Sequence, residues 1–172
     1  MARHPQRDLY ESTLVEIGRI TTTWAKFEHW VDVAIWYLAG VEDRRGVCIT
    51  TQLGSIHAKF RALEALMVEA GRPEPILKII RGIAGEAAEV VKTRNKFAHG
   101  PLDMDVNKET KEFEVYLKHI SVRGKGVLTL DSEVLTTSEL EIAQATVAGV
   151  YQKLIKHWHE IIDIPSAEEL AQ

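Results

Sequence analysis

Apolar residues recur every three or four positions across residues 8–40, and this spacing constrains the fold more than any other feature of the chain. The stripe consists of Leu14, Ile17, Ile20, Trp24, Phe27, Val31, Ala34, Ile35 and Leu38. An α-helix brings residues at this spacing to one face, so we predict one long helix that ends near Gly40. Trp30 and Trp36 lie off the stripe and indicate either a second packing surface, such as a dimer interface, or an ordinary core contact.

The same spacing predicts three further helices, over about 55–71, 75–99 and 138–163. Ser138 followed by Glu141 fits a capping box at the start of the last of them. Together with the first helix they make an all-α protein. Its long apolar faces are best buried in an antiparallel four-helix bundle of up-and-down topology.

One segment departs from the helical pattern. Apolar and polar residues alternate after position 112, and the turn Arg123-Gly124-Lys125-Gly126 leads into a second apolar-rich run. This pattern predicts a small β-hairpin at about 112–130, inserted between the third and fourth helices. An isolated hairpin is only marginally stable, so we expect it to pack on the helices or on a partner. Residues 41–54 and 102–111 are interpreted as connections.

The composition fits a single domain that comprises residues 1–172, with 45% hydrophobic and 27% charged residues. The net charge of −4 and the sequence pI of about 6.0 disfavour a passive, sequence-independent nucleic-acid binder. The single cysteine, Cys48, excludes an internal disulfide and a cysteine-based zinc site, and we expect it to fill a small apolar space. Since no apolar run is long enough to span a membrane and the N-terminus is polar, we expect a cytoplasmic protein.

The residues suited to chemistry are concentrated at the end of the third predicted helix, in Arg94-Asn95-Lys96-Phe97-Ala98-His99-Gly100-Pro101. Arg94 supplies a fixed cation, and Asn95 supplies a hydrogen-bonding amide. His99 belongs to the residue type that gains or loses a proton near neutral pH. These are the groups needed to cleave a phosphodiester without a metal ion.

Structural roles explain the same residues in a different way. Arg94 replaces an apolar residue on the buried stripe that passes through Ile80, Ile83, Ala87, Val91 and Ala98. A buried guanidinium requires a carboxylate, backbone carbonyls or a polar cleft, and Glu28 on the first predicted helix is a candidate partner in an ion pair. His99 can cap the end of its helix and complement the helix dipole.

The string Arg-Asn-x-x-x-His-Gly at a helix end, followed by Pro101, resembles the R-x-x-x-x-H motif of the HEPN superfamily (higher eukaryotes and prokaryotes nucleotide-binding domains). Asn95 follows the arginine as a polar residue commonly does in that family. The earlier Trp24-Ala25-Lys26-Phe27-Glu28 resembles the first helix of bacterial members. The resemblance covers about 8–100 and 138–163, and it leaves the hairpin outside the common core.

The resemblance implies an all-α bundle, frequently a homodimer whose two motifs face each other across a cleft. Many members are metal-independent endoribonucleases, often the toxin of a toxin–antitoxin pair or part of a defence system. Other members have lost activity and serve as binding or dimerisation modules. No cofactor and no metal ion are expected.

In an active protein of this kind, His99 would act as general base on the 2′-hydroxyl or as general acid on the leaving 5′-oxygen. Arg94 would hold the non-bridging oxygens, and Asn95 would orient His99 or the phosphate. The products would carry 2′,3′-cyclic phosphate and 5′-hydroxyl ends. Lys92 and Lys96 flank these residues and either guide the RNA backbone or are ordinary solvated lysines. One histidine does not readily act as both acid and base, and a dimer with two copies of His99 would solve this.

Three hypotheses therefore make different structural predictions. An endoribonuclease requires Arg94, Asn95 and His99 to line an accessible cleft near a two-fold axis. A catalytically inactive module that dimerises and binds a protein, such as an antitoxin, or a nucleotide would have this cleft filled or blocked, with the hairpin as one candidate cover. A purely structural bundle would bury Arg94 completely against Glu28.

Overall fold

A computed structural model describes residues 5–123 and 127–162, which form six helices and three strands. The helices are α1 (Pro5–Leu38), α2 (Asp43–Thr50), α3 (Ile56–Glu69), α4 (Glu74–His99), α5 (Thr137–Lys156) and α6 (Trp158–Ile162). The strands are β1 (Leu102–Val106), β2 (Phe113–Arg123) and β3 (Val127–Val134). The prediction of a mostly helical protein with a small β insertion before the last long helix is confirmed, whereas the arrangement as an up-and-down four-helix bundle stays a prediction.

Two compact units are distinguished by their internal contacts. The sheet unit contains the chain up to Thr22 together with Lys92–Thr146, and the helical unit contains Thr23–Val91 and the chain from Val147. α1, α4 and α5 each contribute a segment to both units. The single domain over residues 1–172 therefore stays a prediction.

The helical unit has an aromatic and aliphatic core. The ring centroids of Trp24 and Phe27 are 5.2 Å apart, and those of Phe27 and Phe60 are 5.9 Å apart. Its other fully buried large side chains include Val31, Leu63, Met67, Ile80, Val147, Leu154 and Ile161. Around this core, ion pairs connect successive long helices: Lys59–Asp32 at 2.8 Å, Arg81–Glu64 at 2.6 Å and Lys153–Glu86 at 2.6 Å. The buried stripe predicted for the first helix is confirmed from Ile20 to Ile35, whereas Leu14 at its start is 45% exposed.

The connection predicted at 41–54 contains the short helix α2. Trp36 is 6% exposed and covers Gly46, where an ideal Cβ would lie 2.3 Å from the indole Cγ. The Trp36 Nε1 donates a hydrogen bond to the Thr50 hydroxyl at 3.1 Å. A glycine inside so short a segment disfavours a helix, and the local sequence therefore does not predict α2. The contact that stabilises α2 comes from Trp36 of α1. Cys48, expected to fill an apolar space, is exposed on α2 instead.

The helix predicted over 138–163 is divided into α5 and α6, while residue 163 lies outside the described part. Trp30 of α1 packs edge to face on Trp158 of α6, with their ring centroids 4.7 Å apart. Trp30 therefore makes an intramolecular packing contact. The Arg72 guanidinium donates to the Ile161 carbonyl at 3.2 Å and satisfies a backbone acceptor of the last turn. The separate helix α6 is thus held by contacts with two other segments.

The start of α5 uses a different capping box from the predicted one. The Thr136 amide and hydroxyl donate to the Glu139 carboxylate at 2.9 and 2.8 Å, and the Glu139 amide donates back to the Thr136 hydroxyl at 3.2 Å. Ser138 and Glu141 show the same sequence spacing. Sequence spacing alone does not distinguish these two capping boxes. Which one forms depends on the residue at which the helix begins after β3.

The predicted hairpin is part of a three-stranded antiparallel sheet in the order β1-β2-β3. Leu102 lies opposite Leu117 and Met104 opposite Val115, so β1 occupies part of the segment 102–111 that was predicted to be a connection. Val115 and Leu117 are almost completely buried, whereas Asp103 and Asp105 on the alternate positions are exposed. The predicted turn includes residues 124–126, which lie outside the described part. β1 has only five residues, two of them aspartates, so its sequence gives a weak strand signal. Pairing with β2 provides the stabilisation that its local propensity lacks.

Candidate functional site

The C-terminal end of α4 is fixed against the sheet. An ideal Cβ on Gly100 would lie 2.5 Å from the Leu117 Cδ1 and 2.8 Å from the Lys96 carbonyl oxygen, so β2 approaches to a distance that only glycine permits. The Lys118 amide donates to the Pro101 carbonyl at 2.9 Å, and the Gly100 amide donates to the Lys96 carbonyl at 3.0 Å. The residues that were predicted only to stop the helix also dock it onto β2.

Arg94 lies on the partly buried face of α4, as its position on the apolar stripe predicts. Val90 and Phe97, one turn before and one turn after it, are each 4% exposed. The stripe is displaced by about one residue from the predicted one, because Val91 is half-buried and Ala98 is exposed. Arg94 therefore sits at the edge of the buried surface rather than at its centre.

The Arg94 side chain is ordered by its neighbour. Arg94 is half-buried, and its Nε is inaccessible to solvent. The Arg94 Nη1 donates a hydrogen bond to the Asn95 Oδ1 at 2.8 Å. With the carboxamide oxygen used in this way, the Asn95 amide nitrogen remains a donor for a second group. The complete burial of Arg94 that the purely structural hypothesis requires is not observed.

Asn95 and His99 lie one helical turn apart on the same face of α4, and both are exposed. Within the described part of the chain, the His99 ring makes no hydrogen bond, so both ring nitrogens can contact solvent or a ligand. A cap would require a bond from this ring to a carbonyl of the last turn. The structure thus brings Arg94 and Asn95 into contact and leaves His99 accessible one turn after Asn95.

The two flanking lysines differ in their surroundings. Lys96 Nζ lies 2.6 Å from the Glu133 carboxylate of β3 and 5.5 Å from the centre of the Phe97 ring. Lys92 is exposed. Lys96 is therefore engaged in an ion pair within the sheet unit.

A second carboxylate lies within electrostatic range of Lys96. Hydrogen bonds from the Thr136 amide and then the Thr136 hydroxyl hold the pKa of Glu139 below its ordinary value, and the charge of Lys96 lowers it further by a smaller amount. Glu133 acts in the opposite direction on the same carboxyl. The charge of Lys96 is thus shared between Glu133 and Glu139.

Sequence reasoning did not identify Glu133 or Leu117 as neighbours of this site. Glu133 is far from Lys96 along the chain, and no periodic signal links the two positions. Glu28, the predicted partner of Arg94, is half-buried on the part of α1 that belongs to the helical unit, and its pairing with Arg94 stays a prediction.

Among the side chains that the structure describes, no three of histidine, cysteine or acidic type are arranged to hold a metal ion. Over the same residues, no helix is both long enough and apolar enough to cross a membrane.

The arrangement at the end of α4 combines a guanidinium for anion binding, an amide donor and an accessible imidazole for proton transfer. These groups suit an anionic substrate that undergoes acid–base chemistry. No protein-family model matches the chain, and no curated protein or solved structure is significantly similar to it.

Proposed function

We propose that the protein is a HEPN-like, metal-independent endoribonuclease of the toxin or defence type, built on an antiparallel four-helix bundle and active as a cytoplasmic homodimer. One observation carries the proposal: a half-buried Arg94 is bonded to Asn95, and Asn95 shares a helix face with the exposed His99 at a helix end fixed by the sheet. A purely structural arginine would be enclosed completely, and a purely capping histidine would bond the last carbonyls.

The chemistry assigns one task to each side chain. As general base, one ring nitrogen of His99 takes the proton of the ribose 2′-hydroxyl, and the 2′-oxygen attacks the adjacent phosphorus. The bond from phosphorus to the 5′-oxygen breaks, and this oxygen leaves with a proton supplied by an acid. In the dimer, that acid is His99 of the second copy. The products carry a 2′,3′-cyclic phosphate and a 5′-hydroxyl.

Arg94 stabilises the charge that develops on the non-bridging oxygens. The bond to the Asn95 Oδ1 engages one terminal nitrogen of the guanidinium. The planar fork of arginine suits this side chain to a phosphate oxygen. A guanidinium held before the substrate arrives has less side-chain freedom to lose, which favours the transition state. Lys92 contributes long-range attraction for the RNA backbone.

A second candidate function is a catalytically inactive HEPN-like module that binds a protein partner or a nucleotide. The ion pair of Lys96 with Glu133 favours this alternative, because it neutralises a cation that an RNA-binding surface would keep free. The net charge of −4 points in the same direction. An antitoxin or another protein would then occupy the face that carries Asn95 and His99.

Cleavage assays distinguish the two functions. Purified wild-type protein, His99→Ala and the control His159→Ala are incubated with total and transfer RNA in EDTA, and the ends of the products are analysed. Loss of a general acid or base lowers the rate by about 10²- to 10⁴-fold, so His99→Ala should lose activity while His159→Ala retains it. His159 is an exposed histidine of α6 and serves as the matched control.

Cyclic-phosphate ends produced by wild type and His159→Ala alone support the nuclease. Equal cleavage by all three proteins would identify a contaminant. Absence of cleavage by folded wild-type protein would favour the binding module.

A further inference from the structure

A cavity of about 320 Å³ lies in the helical unit between α3 and α4. Its floor is apolar and is formed by Phe60, Ile80, Ala84, Gly85 and Ala88. The small side chains at three of these positions leave room above the helix backbone, and an ideal Cβ on Gly85 would have no atom within 4 Å. The volume is at the lower end of the range for small-molecule sites.

The charges around the cavity are unevenly distributed. The Arg81 guanidinium lies 2.6 Å from Glu64 and 2.6 Å from Glu74, so two carboxylates outweigh its charge. His57 precedes Glu64 by seven residues, which is about 10 Å along the axis of α3. His57 and Arg61 are exposed, one turn apart, and neither has an ion-pair partner within the described part of the chain. His57 and Arg61 thus form the basic end of the cavity, and Glu64, one turn after Arg61, pairs with Arg81 at the compensated end.

We propose that this cavity binds a small carboxylic acid with a flat apolar body. The body lies on the surface of Ala84, Gly85 and Ala88, and the carboxylate binds Arg61 and His57. Arginine is suited to this role because its planar fork binds a carboxylate through two parallel hydrogen bonds. Arg81 does not serve as the anion site, since Glu64 and Glu74 already hold it.

The test uses 2-naphthoate as the probe and 2-naphthamide as its uncharged counterpart. Binding to the full chain is followed by nitrogen–proton correlation spectra, and the amide signals of α3 and α4 report the site. The wild type should bind 2-naphthoate more tightly than 2-naphthamide. Arg61→Gln should weaken 2-naphthoate about two- to fivefold, as expected for a partly exposed ion pair, and leave 2-naphthamide unchanged.

Two glycines of α4 provide a matched pair of variants. Gly85→Leu fills the cavity and should weaken both probes at least tenfold. Gly82→Leu places the same side chain on the same helix, also into open space, but outside the cavity lining, and should bind as the wild type does. Circular dichroism verifies the fold of each variant, and Arg61→Gln remains decisive if Gly85→Leu does not fold.

The proposal is overturned if 2-naphthoate at millimolar concentration shifts no signal of α3 or α4. Unchanged binding by folded Gly85→Leu, or equal affinity of wild type and Arg61→Gln for 2-naphthoate, would overturn it as well.

Discussion

Gly46 and Gly100 are required by close contacts with neighbouring side chains. A methyl group at Gly46 would enter the Trp36 ring, and one at Gly100 would meet both Leu117 and the Lys96 carbonyl. Gly82, in contrast, faces open space on α4. The same residue type therefore has opposite effects on stability at these positions.

Substitution by alanine should reveal this difference. Gly46→Ala and Gly100→Ala should each lower the free energy of unfolding by about 1–3 kcal/mol, because overpacking displaces Trp36 or Leu117. Gly82→Ala should raise it by about 0.5–1 kcal/mol through its helix propensity. Urea unfolding followed by circular dichroism measures all three values. A neutral Gly100→Ala would show that β2 can move away from the end of α4 without cost.

Asn95 is a positioning residue for Arg94 in the proposed nuclease. Asn95→Ala removes the acceptor that holds the guanidinium and should lower kcat by about ten- to a hundredfold, the range expected when a catalytic group is misplaced. Arg94→Lys should be comparably impaired, because an ammonium lacks the planar fork. Steady-state kinetics on one RNA substrate separate kcat from KM. An effect of Asn95→Ala on KM alone would assign the amide to substrate binding instead.

At the level of single elements, the start of α5 shows how a local interaction depends on protonation. Thr136 donates two hydrogen bonds to the Glu139 carboxylate and thereby lowers its pKa from the ordinary value of 4.5. Because folding lowers this pKa, the ionised carboxylate stabilises the folded chain at all pH values above the ordinary one. This stabilisation is lost as the pH falls through the lower value of the folded state.

Glu139→Gln should therefore be less stable than the wild type at pH 7, and the difference should shrink below about pH 4. Thr136→Ala should cost about 1 kcal/mol at pH 7, as expected for loss of an N-cap. Glu141→Gln is the control, since Glu141 is exposed on the same helix and belongs to the capping box that is not used. Denaturant unfolding at several pH values measures each difference. A pH-independent effect of Glu139→Gln would assign its contribution to packing.

At the scale of the whole molecule, the proposed reaction requires an acid and a base, whereas each chain offers one exposed histidine at the end of α4. Mixing wild-type and His99→Ala subunits after joint unfolding and refolding tests whether both copies are needed. If both act, the specific activity should fall with the square of the wild-type fraction. A linear decrease would mean that each subunit is independent. Light scattering establishes beforehand that the refolded protein is a dimer.

The long helices were predictable because their signal is local. The three-to-four spacing of apolar residues defines each buried face without knowledge of the partner, and α1, α3 and α4 lie within a few residues of their predicted bounds. The contact of Arg94 with Asn95 is equally local, since the two residues are adjacent. The partial burial of Arg94 also follows from its place on the stripe.

The local sequence pattern did not predict three features: helix α2, strand β1 and the ion pair of Lys96. Each depends on a residue distant in the chain: Trp36 over Gly46, Leu117 opposite Leu102, and Glu133 beside Lys96. Periodicity reports which face of a segment is buried and carries no information about which segment covers it. The sequence by itself therefore determined the long helices and the chemical groups at the end of α4. Only the tertiary structure decided that a sheet fixes this helix end and that Glu133 pairs with Lys96. The reason is that local pattern does not tell which of several distant segments packs against a given face.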